Sequence, residues 1–167
     1  DDLVEFIDTL VNDDSPRVMI DQQKLVIRYY YSVHMGKSNS IKDVLPAVLN
    51  ESKFLRDYYS KPYSGLSIKD KVLYVKGDEG TILNPYKLLD PVGLDNIPDP
   101  IEFEDSEMGK NETISEGGSA MMAWARMQFD DVSVQKRKDT FQALLRYCEL
   151  DTLAMVMIYQ HWQSLKK

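Results

Sequence analysis

The sequence predicts a mainly α fold with a minor β element, and three observations carry that expectation. From residue 134 to 164 there is no Gly or Pro, and Phe141, Leu144, Leu145, Cys148, Met155, Ile158, Tyr159 and Trp162 recur with helical period. Shorter stretches nearer the start repeat the same period. Strand signal is confined to residues 71–75 (KVLYV), closed by the turn-forming Lys76-Gly77-Asp78-Glu79-Gly80.

The elements follow in order. Residues 2–11 place Leu3, Phe6, Ile7 and Leu10 at helical spacing, and residues 12–16 are a polar turn. A second helix starts after Asp21, a plausible cap, with the stripe Leu25, Val26, Tyr29, Tyr30 and Val33. After a loop at 36–39, Ser40 caps a helix running to Leu49, with Asp43 three residues on in a capping-box-like start. Pro46 lies inside that pattern and is expected to bend or shorten it. Residues 52–59 add one or two helical turns. Residues 84–112 hold four of the seven prolines and little periodicity, so a mobile acidic loop is expected at about 90–112. Gly117-Gly118-Ser119 leads into an Ala- and Met-rich helix at 120–129. Asp130, Asp131 and Ser133 then break and cap ahead of the final helix, which is continuous or bent near Glu149.

The length of 167 residues fits one domain or a domain fragment, and 43% hydrophobic residues suffice for a core. The lone Cys148 excludes an internal disulfide and fits a reducing, cytoplasmic setting. The longest apolar run, 153–159, is too short to span a bilayer, and no secretion signal is expected. The first residue is Asp1 rather than Met, so the chain is expected to be a segment of something longer. Net charge is −7, and residues 90–112 account for all of it, with eight acidic residues and one Lys. The remainder is neutral, so long-range attraction of a polyanion is not expected, but a local basic patch is not excluded.

Tyr147 and Asp151 are the best candidates for chemistry. Four residues apart on a helix, they share a face. Asp151 falls within the stripe Leu144, Tyr147, Cys148, Met155 and Ile158, where a carboxylate is desolvated unless paired or bound to a cation. The spacing itself carries nothing, because Tyr74 with Asp78 and Tyr86 with Asp90 repeat it. A structural reading, Asp151 as a cap or ion-pair partner, stands beside the metal-ligand one.

The surrounding string Arg146-Tyr147-Cys148-Glu149-Leu150-Asp151-Thr152-Leu153-Ala154 resembles the third motif of the DEDD exonucleases in its tyrosine variant, the ribonuclease D type. The histidine variant would need His where Arg146 stands. Residues 28–31 (RYYY), 36–47 (GKSNSIKDVLPA), 117–123 (GGSAMMA) and 144–156 (LLRYCELDTLAMV) are also similar to a bacterial domain family often found C-terminal to RecB-like nuclease regions. The resemblance implies the helical C-terminal portion of a ribonuclease H-like 3′–5′ exonuclease domain. Asp151 would bind Mg²⁺ or Mn²⁺ and Tyr147 would orient the attacking water, with nucleic acid as substrate and an upstream nuclease region as partner. The Asp-x-Glu strand and second motif of that superfamily are not found here. The chain is therefore expected to begin downstream of them and to be inactive alone. The alternative is a non-catalytic helical module that binds nucleic acid or a partner nuclease.

Other features carry paired readings. Lys37, Ser38, Asn39, Ser40 and Lys42 either contact phosphates at a helix N-terminus or simply start a capped helix. Tyr29, Tyr30 and Tyr31, with Lys24 and Arg28, form either a stacking platform or a core contribution in which two Tyr pack and one lies outside. His34 and His161 have no zinc-like spacing, and Met121, Met122 and Met127 beside Trp124 read as core filling. The acidic stretch is a solvated insertion or an occupant of a nucleic-acid groove.

Overall fold

The computed structural model describes residues 2–36, 38–77, 80–89, 117–129 and 131–166. Among them are six α-helices: α1 Asp2–Val11, α2 Gln22–Tyr29, α3 Ile41–Glu51, α4 Lys53–Tyr59, α5 Gly117–Phe129 and α6 Val134–Ser164. A single 3-10 turn covers Pro85–Leu88. Lys37 and the acidic stretch 90–112 lie outside the described residues. No helix among the described residues is long and apolar enough to cross a membrane.

Local side chains set the helix starts. Asp21 accepts the Lys24 amide at 3.2 Å, Ser52 that of Leu55 at 3.2 Å, and Ser133 that of Lys136 at 3.2 Å. Each satisfies an amide that the first turn leaves without a carbonyl. The long α6 runs unbroken past Glu149. It packs against α3, α4 and α5, and α3 packs against α4. Leu45 and Leu49 of α3, Leu55 of α4, and Leu150 and Met157 of α6 are fully buried together with Ile68 and Leu73 from the intervening segment. α1 buries none of its residues.

Four expectations are corrected by these elements. The β element at 71–75 does not form a strand: the described residues contain two isolated bridges, Tyr63 with Lys71 and Lys76 with Ile82. The extended segment has no partner strand. Its Leu73 and Tyr74 amides instead donate to the Tyr59 carbonyl at the end of α4, at 3.2 and 3.0 Å. Pro46 does not shorten α3, which continues to Glu51. The buried stripe of α6 is also rotated from the expected one. Ala143, Leu144, Tyr147, Leu150, Ala154, Met157, Ile158 and His161 face the core, while Cys148, Met155 and Tyr159 are exposed. Small residues such as Ala143 and Ala154 occupy the contact face, so mere hydrophobicity points to the wrong side. On α5, Met127 is buried but Met121, Met122 and Trp124 are at least half exposed.

Candidate functional site

The site is built around a defect in α3. Pro46 has no N–H to offer the carbonyl four residues back, that of Lys42. That carbonyl accepts instead from Asn84 Nδ2 at 3.1 Å. Asn84 is also the cap of the 3-10 turn, its Oδ1 accepting the Tyr86 amide at 3.1 Å. One side chain thus ties the start of α3 to the turn that carries Tyr86.

Tyr86 then reaches α6. Its hydroxyl donates to Asp151 Oδ1 at 2.5 Å, and its ring lies 5.7 Å from that of Tyr147. Burial, the hydrogen bond to Asp151 and the Asp151 charge together push the Tyr86 hydroxyl far above its usual ionisation range, so it is a donor at any ordinary pH. Lys42 Nζ lies 5.6 Å from the centre of the Tyr86 ring and 5.5 Å from that of Tyr147, within cation–π range of both. Tyr147 is buried and Asp151 half-buried.

The Tyr147–Asp151 pair and Lys42, singled out in sequence for separate reasons, therefore meet at one place. Tyr86 joins them. It is the residue the sequence reading did not select, although it begins one of the three Tyr–Asp pairs. Of the other members of the 37–42 group, Lys37 lies outside the described residues, and Ser38 and Ser40 make hydrogen bonds within the group itself. Ser40 caps α3, accepting the Lys42 amide at 3.4 Å, Ser38 accepts the Ser40 amide at 2.9 Å, and Asn39 is exposed. Ser38 and Ser40 thus act as the start of a capped helix.

The chain matches no protein-family model, no curated protein and no solved structure.

A divalent ion such as Mg²⁺ or Mn²⁺ needs several oxygen ligands. Among the described residues no group of three or more His, Cys, Asp and Glu side chains could hold a metal ion. The donor set around Asp151, one carboxylate and a tyrosine hydroxyl, does not fit a self-contained divalent-ion site.

Two polar clusters flank the site on α6. Glu149 accepts the amides of Leu66, Ser67 and Ile68 at 3.0, 2.5 and 3.0 Å and the Tyr63 hydroxyl at 3.2 Å. Burial alone would raise its ionisation, but these donors outweigh it and hold the carboxyl below its ordinary range. A Cβ on Gly65 would collide with Glu149 Oε1 and the Tyr63 hydroxyl, so a larger residue there must displace the carboxylate from this approach. Towards the end of α6, His161 is buried beside Tyr30, Trp162 and Glu51. Its Nε2 is 3.5 Å from Glu51 Oε2, and neither ring nitrogen has a hydrogen-bond partner. Tyr30 donates to the same Glu51 oxygen at 2.9 Å. Tyr29 and Tyr31 are both exposed, so one Tyr packs and two lie outside, the reverse of the expected core arrangement.

Proposed function

We propose that this chain contributes part of the active site of a metal-dependent 3′–5′ exonuclease, as the helical C-terminal portion of a ribonuclease H-like domain. In that reading Tyr147 and Asp151 are the tyrosine-type third motif and Lys42 is a phosphate contact. The observation that carries the reading is the convergence of Lys42 with Tyr147 and Asp151 from opposite ends of the sequence. A cation beside a buried tyrosine and a carboxylate suits a phosphodiester, whose charge the cation neutralises and whose attack the polar groups orient. The metal role of Asp151 rests on the sequence resemblance and requires further carboxylates that the described residues do not bring to it.

A second reading is favoured by one observation. Asp151 already has a protein partner in Tyr86, as a structural carboxylate would. The chain would then be a non-catalytic helical module binding nucleic acid or a partner nuclease. Incubating the chain, and any longer protein that contains it, with Mn²⁺ and end-labelled single strands of DNA and RNA separates the two. The nuclease reading expects Mn²⁺-dependent shortening by the longer protein, lost in Asp151→Asn, and little turnover by the 167-residue chain alone. Shortening that survives Asp151→Asn supports the second.

A further inference from the structure

We infer that Tyr29 and Tyr31, with Arg28, form a base-stacking site for single-stranded nucleic acid. The inference deepens the nuclease reading by naming where its substrate strand lies, and it rests on that reading for where the strand leads.

The placement has a local cause. Tyr30 leaves α2 in extended geometry, with φ −122° and ψ 127°. Its ring is held by Glu51, His161 and Trp162. Successive residues of extended chain point to opposite sides, so anchoring Tyr30 inward turns Tyr31 outward. Tyr29 and Tyr31 are 77% and 83% exposed, and neither makes a ring or hydrogen-bond contact among the described residues. Two large aromatic faces are thus presented to water, one on each side of a pinned residue.

Charge selects the occupant. Residues 22–42 contain Lys24, Arg28, Lys37 and Lys42 and no Asp or Glu, in a chain whose net charge is −7. Lys24 lies 3.9 Å from the Asp21 carboxylate, so the cation beside the two rings is Arg28, exposed next to Tyr29. Aromatic faces take unpaired bases of any sequence, while the cations track the phosphates. The same segment continues directly to Lys42 at the Tyr86–Tyr147–Asp151 cluster. A strand stacked at Tyr29 and Tyr31 would therefore lie on the same acid-free stretch of sequence that ends at Lys42.

The test is fluorescence anisotropy of a labelled single-stranded oligonucleotide with the 167-residue chain in EDTA, so that no metal chemistry enters. Single strand is expected to bind more tightly than duplex. Tyr29→Ala with Tyr31→Ala should weaken binding on the order of tenfold or more. Tyr29→Phe with Tyr31→Phe should retain it, and Tyr29→Leu with Tyr31→Leu should behave like the alanine pair. Arg28→Gln should flatten the salt dependence. Circular dichroism of each variant checks that it is folded. Absence of wild-type binding, an unaffected alanine pair, or leucines that serve as well as phenylalanines would overturn the proposal, the last pointing to an apolar protein partner. Binding that persists when Mn²⁺-dependent hydrolysis is not found removes the nuclease reading alone, and hydrolysis without the tyrosine dependence removes this one alone.

Discussion

The Tyr86 hydroxyl and the Asp151 carboxylate, 65 positions apart, are joined by a 2.5 Å hydrogen bond that locks the 3-10 turn onto α6. Tyr86→Phe removes the donor and leaves a half-buried carboxylate short of a partner. Hydrogen bonds to charged groups contribute roughly 1.5–3 kcal/mol, and partial exposure of Asp151 places this one at about 1.5 kcal/mol. Asp151→Asn retains an acceptor oxygen and should cost about 0.5 kcal/mol. Urea unfolding measures both, and a larger loss in Asp151→Asn than in Tyr86→Phe would refute this ordering.

Asn84 compensates for Pro46, and the two should be energetically coupled. Asn84→Ala removes both the contact to the Lys42 carbonyl and the cap on Tyr86, with an expected loss of about 1–2 kcal/mol. In a Pro46→Ala background the helix supplies its own donor to Lys42. The Asn84→Ala loss should then shrink by about half, a coupling that a double-mutant cycle reads directly. Additive losses would show that Asn84 does not answer the proline.

Glu149 organises the loop before the buried Ile68 and Leu73. Gly65→Ala drives a methyl into its carboxylate and should destabilise by about 2 kcal/mol. The pH dependence has a definite sign. The folded carboxyl titrates below its ordinary value of 4.5, so its contribution is fully present above that value and fades as pH falls beneath it. Thermal melts of wild type and Glu149→Gln should therefore converge in acid. Curves that stay parallel would contradict the assignment.

His161 acts in a different window. Burial holds it neutral, against the opposing pull of Glu51, so its folded ionisation lies below the ordinary 6.5. The unfolded chain then takes up the proton more readily, and stability is lost as pH drops below 6.5. His161→Phe should remove that loss between about pH 6.5 and pH 5. An unchanged slope in melting temperature would show that another group is responsible.

The helices were legible because their signals are local. Asp21, Ser40, Ser52 and Ser133 each mark a start that the structure places within a residue or two of expectation. The 71–75 strand failed because a strand needs a partner, and alternation alone does not say that the Tyr59 carbonyl is the acceptor. The face of α6 was misjudged because Ala143, Ala154 and His161 line the contact while larger apolar residues stay outside. The Tyr147–Asp151 pair and Lys42 are each visible in the sequence, but separately. Their meeting, and the entry of Tyr86, depend on a long-range tie through Asn84 that no local pattern encodes.

The central claim is that Lys42, Tyr147 and Asp151 serve one phosphodiester site. Its most direct measurement is Mn²⁺-dependent release of terminal nucleotides from an end-labelled single strand by any longer protein that contains this chain. The wild type should shorten the strand stepwise, Asp151→Asn should abolish release, Tyr147→Phe should slow it on the order of a hundredfold, and Lys42→Ala should weaken it. Release that proceeds undiminished in Asp151→Asn, or no release at all from the wild type, would contradict the claim.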